Sequence, residues 1–393
     1  MKKLLLIFFI PFTCFAQQTY VPDDNFEQSL ILQGFDNVMD DYVLTANIDT
    51  ITSLTLVSSG NISDLTGISG FSSLEYLDCS GNILDSLDIS QNENLIELDC
   101  SGNQLQNLYL NDSIVILTCY VNSLTSLDLS NLQNINYVNC RDNQLTSINV
   151  DSCLNLAYLF CENNNISSLN VSTTMLDQLD CANNLITNIN LNDSLRILVC
   201  NDNLIQNLDI SNLSKLSSAF CFQNNITTFN SNNSTNLSIL DLKHNNLTNI
   251  DVSTNLNLNS LIIFTNNLSH IDLSQNINLE FLSCSFNNLN SLDLRNGNNV
   301  NMTIYTTSNP SLSCISVDDT SWSNTNWTVS GGFIDQQHYF STNCGSTSTE
   351  EQNKDNQIQK IVDVFGRETK EKRNTPLFYI YNDGTVEKKI IIE

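Results

Sequence analysis

Positive charge is what this chain has least of: 15 Lys and Arg stand against 42 Asp and Glu in 393 residues, a net charge of −27. A field of that sign repels phosphodiester backbones and anionic headgroups, which excludes nucleic acid and anionic lipid as partners. Histidine is almost missing. His244, His270 and His338 are the three present, and none belongs to an HExxH, Ser–His–Asp or Cys–His pattern. No glycine-rich phosphate loop occurs and no cofactor or metal set is legible, so none is expected. Carboxylates abound, but no spacing marks out a glycosidase pair, and a polysaccharide-degrading enzyme is only a remote alternative. The chain also lacks a long apolar run. Its most apolar stretch, Leu4 to Phe12, is too short to span a bilayer. Lys2 and Lys3 precede it and Cys14-Phe15-Ala16 follows it, the make-up of a cleaved signal peptide over residues 1–16. That predicts export through the inner membrane, to the cell surface or the medium.

What the chain does have is one unit, repeated. Residues 74–94 read LEYLDCSGNILDSLDISQNEN, and copies open at Leu95, Ile114, Ile135, Leu156, Leu176, Leu195, Leu216, Leu237, Leu258 and Leu279. The template is LxxLxCxxNxLxxLxLxxxxx; eleven units fit it, and a longer one from Ile51 makes twelve over residues 51–299. In LxxLxC the apolar residues alternate, the period of a strand with one buried face. Position nine is always asparagine: Asn82, Asn103, Asn122, Asn143, Asn164, Asn184, Asn203, Asn224, Asn245, Asn266 and Asn287. A chain leaving a strand at a tight corner strands backbone N–H and C=O groups inside the coil. An amide donates and accepts at once, so stacked asparagines can satisfy those groups turn after turn. The second half of the unit carries apolar pairs such as Leu87 and Ile89 among Asn, Ser and Asp, which favour turns over helix interiors. The expectation is a thin β-rich solenoid with few helices, each turn burying its apolar face against the next.

Nine cysteines (79, 100, 119, 140, 161, 181, 200, 221 and 284) share position six, where Leu242 and Ile263 stand in two other units. The thiol is acting as a small hydrophobe. Parallel, in-register Cβ atoms sit too far apart for a relaxed bridge, and a straight column does not converge on a metal. Free buried thiols are expected. Cys314 and Cys344 lie outside the column and form the best disulfide candidate, while Cys153 falls in a turn without an evident mate.

The LxxLxLxxNxL core, here with Cys at its third apolar position, resembles the leucine-rich-repeat family over roughly residues 51–300. The resemblance implies a horseshoe whose concave sheet displays positions two, three, five, seven and eight. Read off there, early units give acids, Asp78, Glu97 and Asp99. Later ones give Tyr120, Tyr137, Tyr158, Phe160, Phe220, Phe222, Lys243, Ile262, Phe264 and Phe281. Exposed aromatics on a rigid face are what binding hot spots use; aromatics are also common on any strand surface. The expected function is that of an exported, non-catalytic protein binding a protein or glycan partner through the concave sheet, in adhesion or recognition at the cell surface. The alternative is a structural spacer of the surface or matrix.

The ends depart from the template. Residues 17–50 are expected to cap the first turn, with a short helix opened by Asp24 and Glu27 and closed by Gly34. Their wording resembles N-terminal caps of leucine-rich-repeat proteins from Bacteroidetes. Residues 300–344 read as a last rung and C-terminal cap, and 345–356 as a polar linker. From 357 to 393, the runs IVDVFGRE, LFYIYNDG and KKIIIE read as short strands joined by turns. This segment resembles the C-terminal sorting domain of the type IX secretion system. The resemblance implies contact with that machinery, passage across the outer membrane and removal of the segment.

Overall fold

Each turn of the chain lays down a three-residue strand whose central side chain points inward. Leu77, Leu98, Leu117, Val138, Leu159 and their equivalents down to Ile304 occupy that position and are fully buried or nearly so. The strands pair in parallel with equal template positions side by side, so Tyr137 lies opposite Ile116 on one flank and Tyr158 on the other. Thirteen strands stack in this way, from Ser53–Thr55 to Thr303–Tyr305, in the order of the sequence. The computed structural model describes residues 17–56, 61–130, 132–344, 358–370, 374–381 and 386–390. Residues 1–16, read above as a signal peptide, and residues 345–356, read as a linker, lie outside the described residues.

The corner after each strand has one conformation. The residue just before each ladder asparagine takes positive φ: +67° at Gly81 and +63° at Gly102, then 51–62° from Val121 through to Ser308. L-residues adopt this left-handed geometry at a cost, which is highest for β-branched side chains. Val121 and Thr265 adopt it nonetheless, because the turn between sheet and asparagine leaves no other path.

The opposite side of the coil is extended too, but its sheet is broken. Ser86–Asp88 pairs with Asn107–Tyr109, Leu127–Asp128 with Ile148–Asn149, Ser168–Asn170 with Asn188–Asn190, and Asn207–Asp209 with Thr228–Asn230. Only at the far end do four strands join, His270–Asp272, Ser291–Asp293, Cys314–Ser316 and Tyr339–Ser341. Two of the breaks follow the 19-residue units, 95–113 and 176–194, which are two residues shorter than the prevailing unit. The solenoid has about fourteen turns, beyond the twelve repeats and last rung read from the template, because the C-terminal cap continues this back sheet.

The N-terminal cap contains the helix Asp24–Leu32, but its N-cap is Asp23 and not the expected Asp24. Asp23 Oδ1 accepts from Asn25 N (3.0 Å) and Phe26 N (2.9 Å), while Oδ2 accepts from Ser63 N, Ser63 Oγ and Asp64 N. One carboxylate therefore both starts the helix and ties it to the first turn. Glu27 accepts from Asp40 N (2.9 Å) and makes no capping box. Gly34, at φ +82°, follows the helix end. In the C-terminal cap the helix Thr320–Asn326 starts on Asp319, and Trp327 Nε1 donates to Met302 O at 3.2 Å. Cys314 and Cys344 are joined in a disulfide.

The chain divides into two compact units between Thr342 and Asn343. The second holds a three-stranded antiparallel sheet, Ile358–Val362, Pro376–Tyr381 and Val386–Ile390. In the turn after its first strand, Asp363 accepts from Phe365 N, Arg367 N and Arg367 Nε, with Gly366 at φ +77°.

Candidate functional site

Rigidity of the concave face begins with the asparagines behind it. In each turn the Nδ2 group donates to the position-six carbonyl of its own turn and to that of the turn before. Asn103, for example, reaches Cys100 O and Cys79 O, both at 3.1 Å. Its Oδ1 accepts from Leu84 N of the preceding turn at 3.0 Å. The same three bonds recur at Asn82, Asn122, Asn143, Asn164, Asn184, Asn203, Asn224, Asn245, Asn266 and Asn287. Asn309, not read from the sequence, adds a twelfth rung, donating to Cys284 O and Thr306 O.

Beside this ladder runs the cysteine column, free and wholly buried from Cys79 to Cys221 and again at Cys284. Several thiols donate to a carbonyl of the next turn, Cys100 to Thr118 O and Cys140 to Phe160 O, both at 3.6 Å. Burial pushes the thiols of Cys79, Cys100, Cys140, Cys161 and Cys181 up, and those of Cys119 and Cys284 to about 12. Such groups are packing, with no nucleophilic character.

A second polar ladder, on the back, escaped the sequence reading. Asn92 donates to Ile68 O and Phe71 O, Asn255 to Ser231 O and Ser234 O, and Asn276 to Val252 O and Asn255 O. Cys153 belongs to this ladder: it is buried, and its thiol donates to Leu129 O of the previous turn at 3.1 Å.

The concave side chains form two aromatic groups along the sheet. In the first, Tyr137 lies 6.2 Å from Tyr158 and 5.6 Å from Phe160 between ring centres, and the Arg141 guanidinium sits 4.7 Å over Tyr120. Arg141 Nη1 is 3.7 Å from Glu162 Oε1, while Arg141 Nε and Glu162 Oε2 have no hydrogen-bond partner among the described residues. Burial raises the Glu162 and Asp180 carboxyls above their usual values.

The second group holds Phe220, Phe222, Ile262, Phe264 and Phe281, all half-buried. Lys243 Nζ lies 4.0 Å over the Phe222 ring and 2.8 Å from Asp241 Oδ2, and His244 meets Phe264 edge-on at 5.0 Å. Strand residues of Gln178–Asp180 and Ile197–Val199 separate the two groups. At the other end of the sheet stand Asp78, Glu97 and Asp99 with no basic neighbour on their rungs. Burial and these three carboxylates together push the Tyr76 phenol up. Asp78 and Asp99 also cap their own strand ends, accepting from Ser80 N at 3.0 Å and Ser101 N at 2.9 Å. The hollows opened by breaks in the back sheet, about 490 Å³ around Tyr109 and about 400 Å³ around Phe229, are away from these rungs.

Among the described residues no three His, Cys, Asp or Glu side chains are grouped to hold a metal ion, and no helix is long and apolar enough to cross a membrane. No protein-family model matches the chain, and no curated protein matches it in sequence. Solved structures do. A leucine-rich-repeat protein from Leptospira interrogans is 20% identical, covering 70% of this chain and 81% of that one, with a TM-score of 0.54. The Toll–Spatzle complex of Drosophila, in its glycosylated form, matches at 18% identity over 70% of this chain and 44% of that chain, with a TM-score of 0.55. The functional domain of InlJ from Listeria monocytogenes, which includes a cysteine ladder, is 27% identical over 70% of this chain and 77% of that one, with a TM-score of 0.40. The continuous parallel sheet, the asparagine corner and the likeness to the Leptospira and Toll structures together make the fold a β-rich leucine-rich-repeat solenoid with few helices.

Proposed function

We propose that the chain is an exported, non-catalytic binding protein that presents its concave sheet to a protein or glycan partner. The observation that carries this reading is the pair of aromatic groups on a face that its asparagine ladder holds rigid. Rings fixed in place bind with little loss of conformational freedom, and half-exposed aromatics are the usual anchors of recognition. Tyr137, Tyr158, Phe160, Phe220, Phe222, Lys243, Ile262 and Phe264 are the contact residues in this reading. One matched structure is itself a complex, Toll with Spatzle, which supports recognition as a use of the fold.

Export follows from the signal-like residues 1–16, and the disulfide at Cys314 and Cys344 accords with an oxidising compartment. The three-stranded C-terminal unit, with its Asp363–Arg367 turn, serves in this reading as the type IX secretion sorting element, delivering the solenoid to the cell surface or the medium. The test is a pull-down and glycan-array screen with the full chain and with a Phe220→Ser, Phe222→Ser, Phe264→Ser variant whose fold is checked by circular dichroism. Binding lost in the folded variant is the expected result. Equal capture by both proteins, or by neither, overturns the concave site and leaves the spacer reading.

A further inference from the structure

The charge of the solenoid is more one-sided than that of the whole chain. Between residues 17 and 344 there are 33 Asp and Glu, and only five basic residues: Arg141, Arg196, Lys215, Lys243 and Arg295. Four of those five are already held by carboxylates: Arg141 by Glu162, Arg196 by Asp177, Lys243 by Asp241 and Arg295 by Asp293. Three stand at concave positions, Arg141, Arg196 and Lys243, and Arg141 and Lys243 are also laid over aromatic rings. Each of these cations already faces a carboxylate of the chain itself.

Acids without an ion pair are most crowded at one end, with Asp180 and Asp202 standing singly further along. Asp78, Glu97 and Asp99 stand on adjacent rungs; the first aromatic group follows at Tyr120 and Tyr137, and the second at Phe220. With rungs about 4.8 Å apart, Glu97 is roughly 10 Å from Tyr137 and roughly 29 Å from the Ser218–Phe220 rung. An extended polypeptide advances about 3.3 Å per residue, so these separations are roughly three and nine residues. A ligand matching both features carries positive charge at one end and apolar side chains at those two offsets.

We infer that the partner of the concave face is a cationic, extended polypeptide segment lying along the solenoid axis, its Lys or Arg residues on Asp78, Glu97 and Asp99 and its apolar side chains on the two aromatic groups. This rests on the concave-binding reading above. A neutral oligosaccharide would use the rings and ignore the acids; a second copy of this chain would bring like charge against like.

The test measures fluorescence anisotropy of the full chain with a labelled thirteen-residue peptide. The peptide carries Lys-Arg at one end and aromatic residues at the two offsets. A scrambled peptide of the same composition and a neutral oligosaccharide serve as comparisons. Two variants are used: Asp78→Asn, Glu97→Gln, Asp99→Asn, whose amides preserve the strand-end turns at Ser80 and Ser101, and Phe220→Ser, Phe222→Ser, Phe264→Ser. The expected result is saturable binding of the ordered peptide that weakens steeply as salt rises. The amide variant binds it at least tenfold more weakly with a flatter salt dependence, and the serine variant binds more weakly with the salt dependence kept. Equal binding of the scrambled peptide, unchanged affinity in the amide variant, or no binding of the ordered peptide at millimolar concentration overturns the inference. Oligosaccharide binding that the serine variant loses and the amide variant keeps removes the cationic partner while leaving the concave site. Full binding by the serine variant removes the concave site itself.

Discussion

The two long sides of this solenoid are built by the same chain in the same number of turns, yet one is a single thirteen-stranded sheet and the other is broken into pairs. On the concave side the distance from first leucine to asparagine never varies, so each strand meets its neighbour in the same register. All variation in unit length falls on the back, where a loss of two residues separates neighbouring strands. Constant spacing accompanies the continuous sheet, and two of the back-sheet breaks follow the short units, while the break between Thr228–Asn230 and His270–Asp272 falls among units of equal length. The unbroken side holds side chains at fixed spacing, and it is the side that carries the rings of the proposed site.

The comparison can be broken most severely at the concave ladder. Asn184→Ala leaves Ile166 N without its partner and removes one of the two asparagine bonds accepted by each of Cys161 O and Cys181 O. An unsatisfied buried N–H costs about 1–3 kcal/mol and each lost bond about 0.5–1.5 kcal/mol, so a loss of about 2–5 kcal/mol is expected, seen as a lower urea midpoint. The back ladder should prove weaker. Asn276→Ala removes two donated bonds, but the Oδ1 of Asn276 has no partner among the described residues; about 1–2 kcal/mol is expected in the same titration. A loss equal to that of Asn184→Ala would show the two sides to be held equally.

Smaller changes sharpen the contrast. Val121 holds a left-handed corner at φ +54° with a β-branched side chain half-exposed above it. Val121→Asn should raise the melting temperature, by relief of about 1 kcal/mol of backbone strain. The pH response should separate the sides last. Asp128, on the back, is held below its usual carboxylate value by hydrogen bonds from Ser130. Its stabilisation is therefore present at neutral pH and is lost as pH falls through its folded value. Asp180, on the concave sheet, is raised by burial, so its charge disfavours folding at neutral pH and protonation relieves this. Asp128→Asn should destabilise and Asp180→Asn stabilise at pH 7, both differences fading in acid. Thermal melts from pH 3 to 8 check the signs.

Most of this was legible because the unit repeats without error at the positions that matter. Asn at position nine, the alternating LxxLxC and the cysteine column each follow from spacing and each has a place in the coil. The back ladder was hidden because its position is filled in turn by Asn92, Cys153, Ser234 and Asn276, amid other Asn and Ser residues. Asn309 was missed because its unit is one residue longer than the template, 22 residues after Asn287. The helix start was misplaced by one because Asp23 and Asp24 are adjacent, and only the position of Ser63, 40 residues on, favours the first. The aromatic rungs were readable as a list, but their division into two groups needs the register of the sheet.

Every bond that an asparagine of either ladder sends out of its own turn reaches the turn before it and never the turn after. The stitching therefore has a direction. A turn at the growing C-terminal edge arrives with its own asparagine fastener. A chain threaded through a pore or off a ribosome with its N-terminus leading can close one coil at a time, each step locked as its asparagine emerges. Run the other way, each coil would hold out its asparagine to a neighbour that has yet to be made.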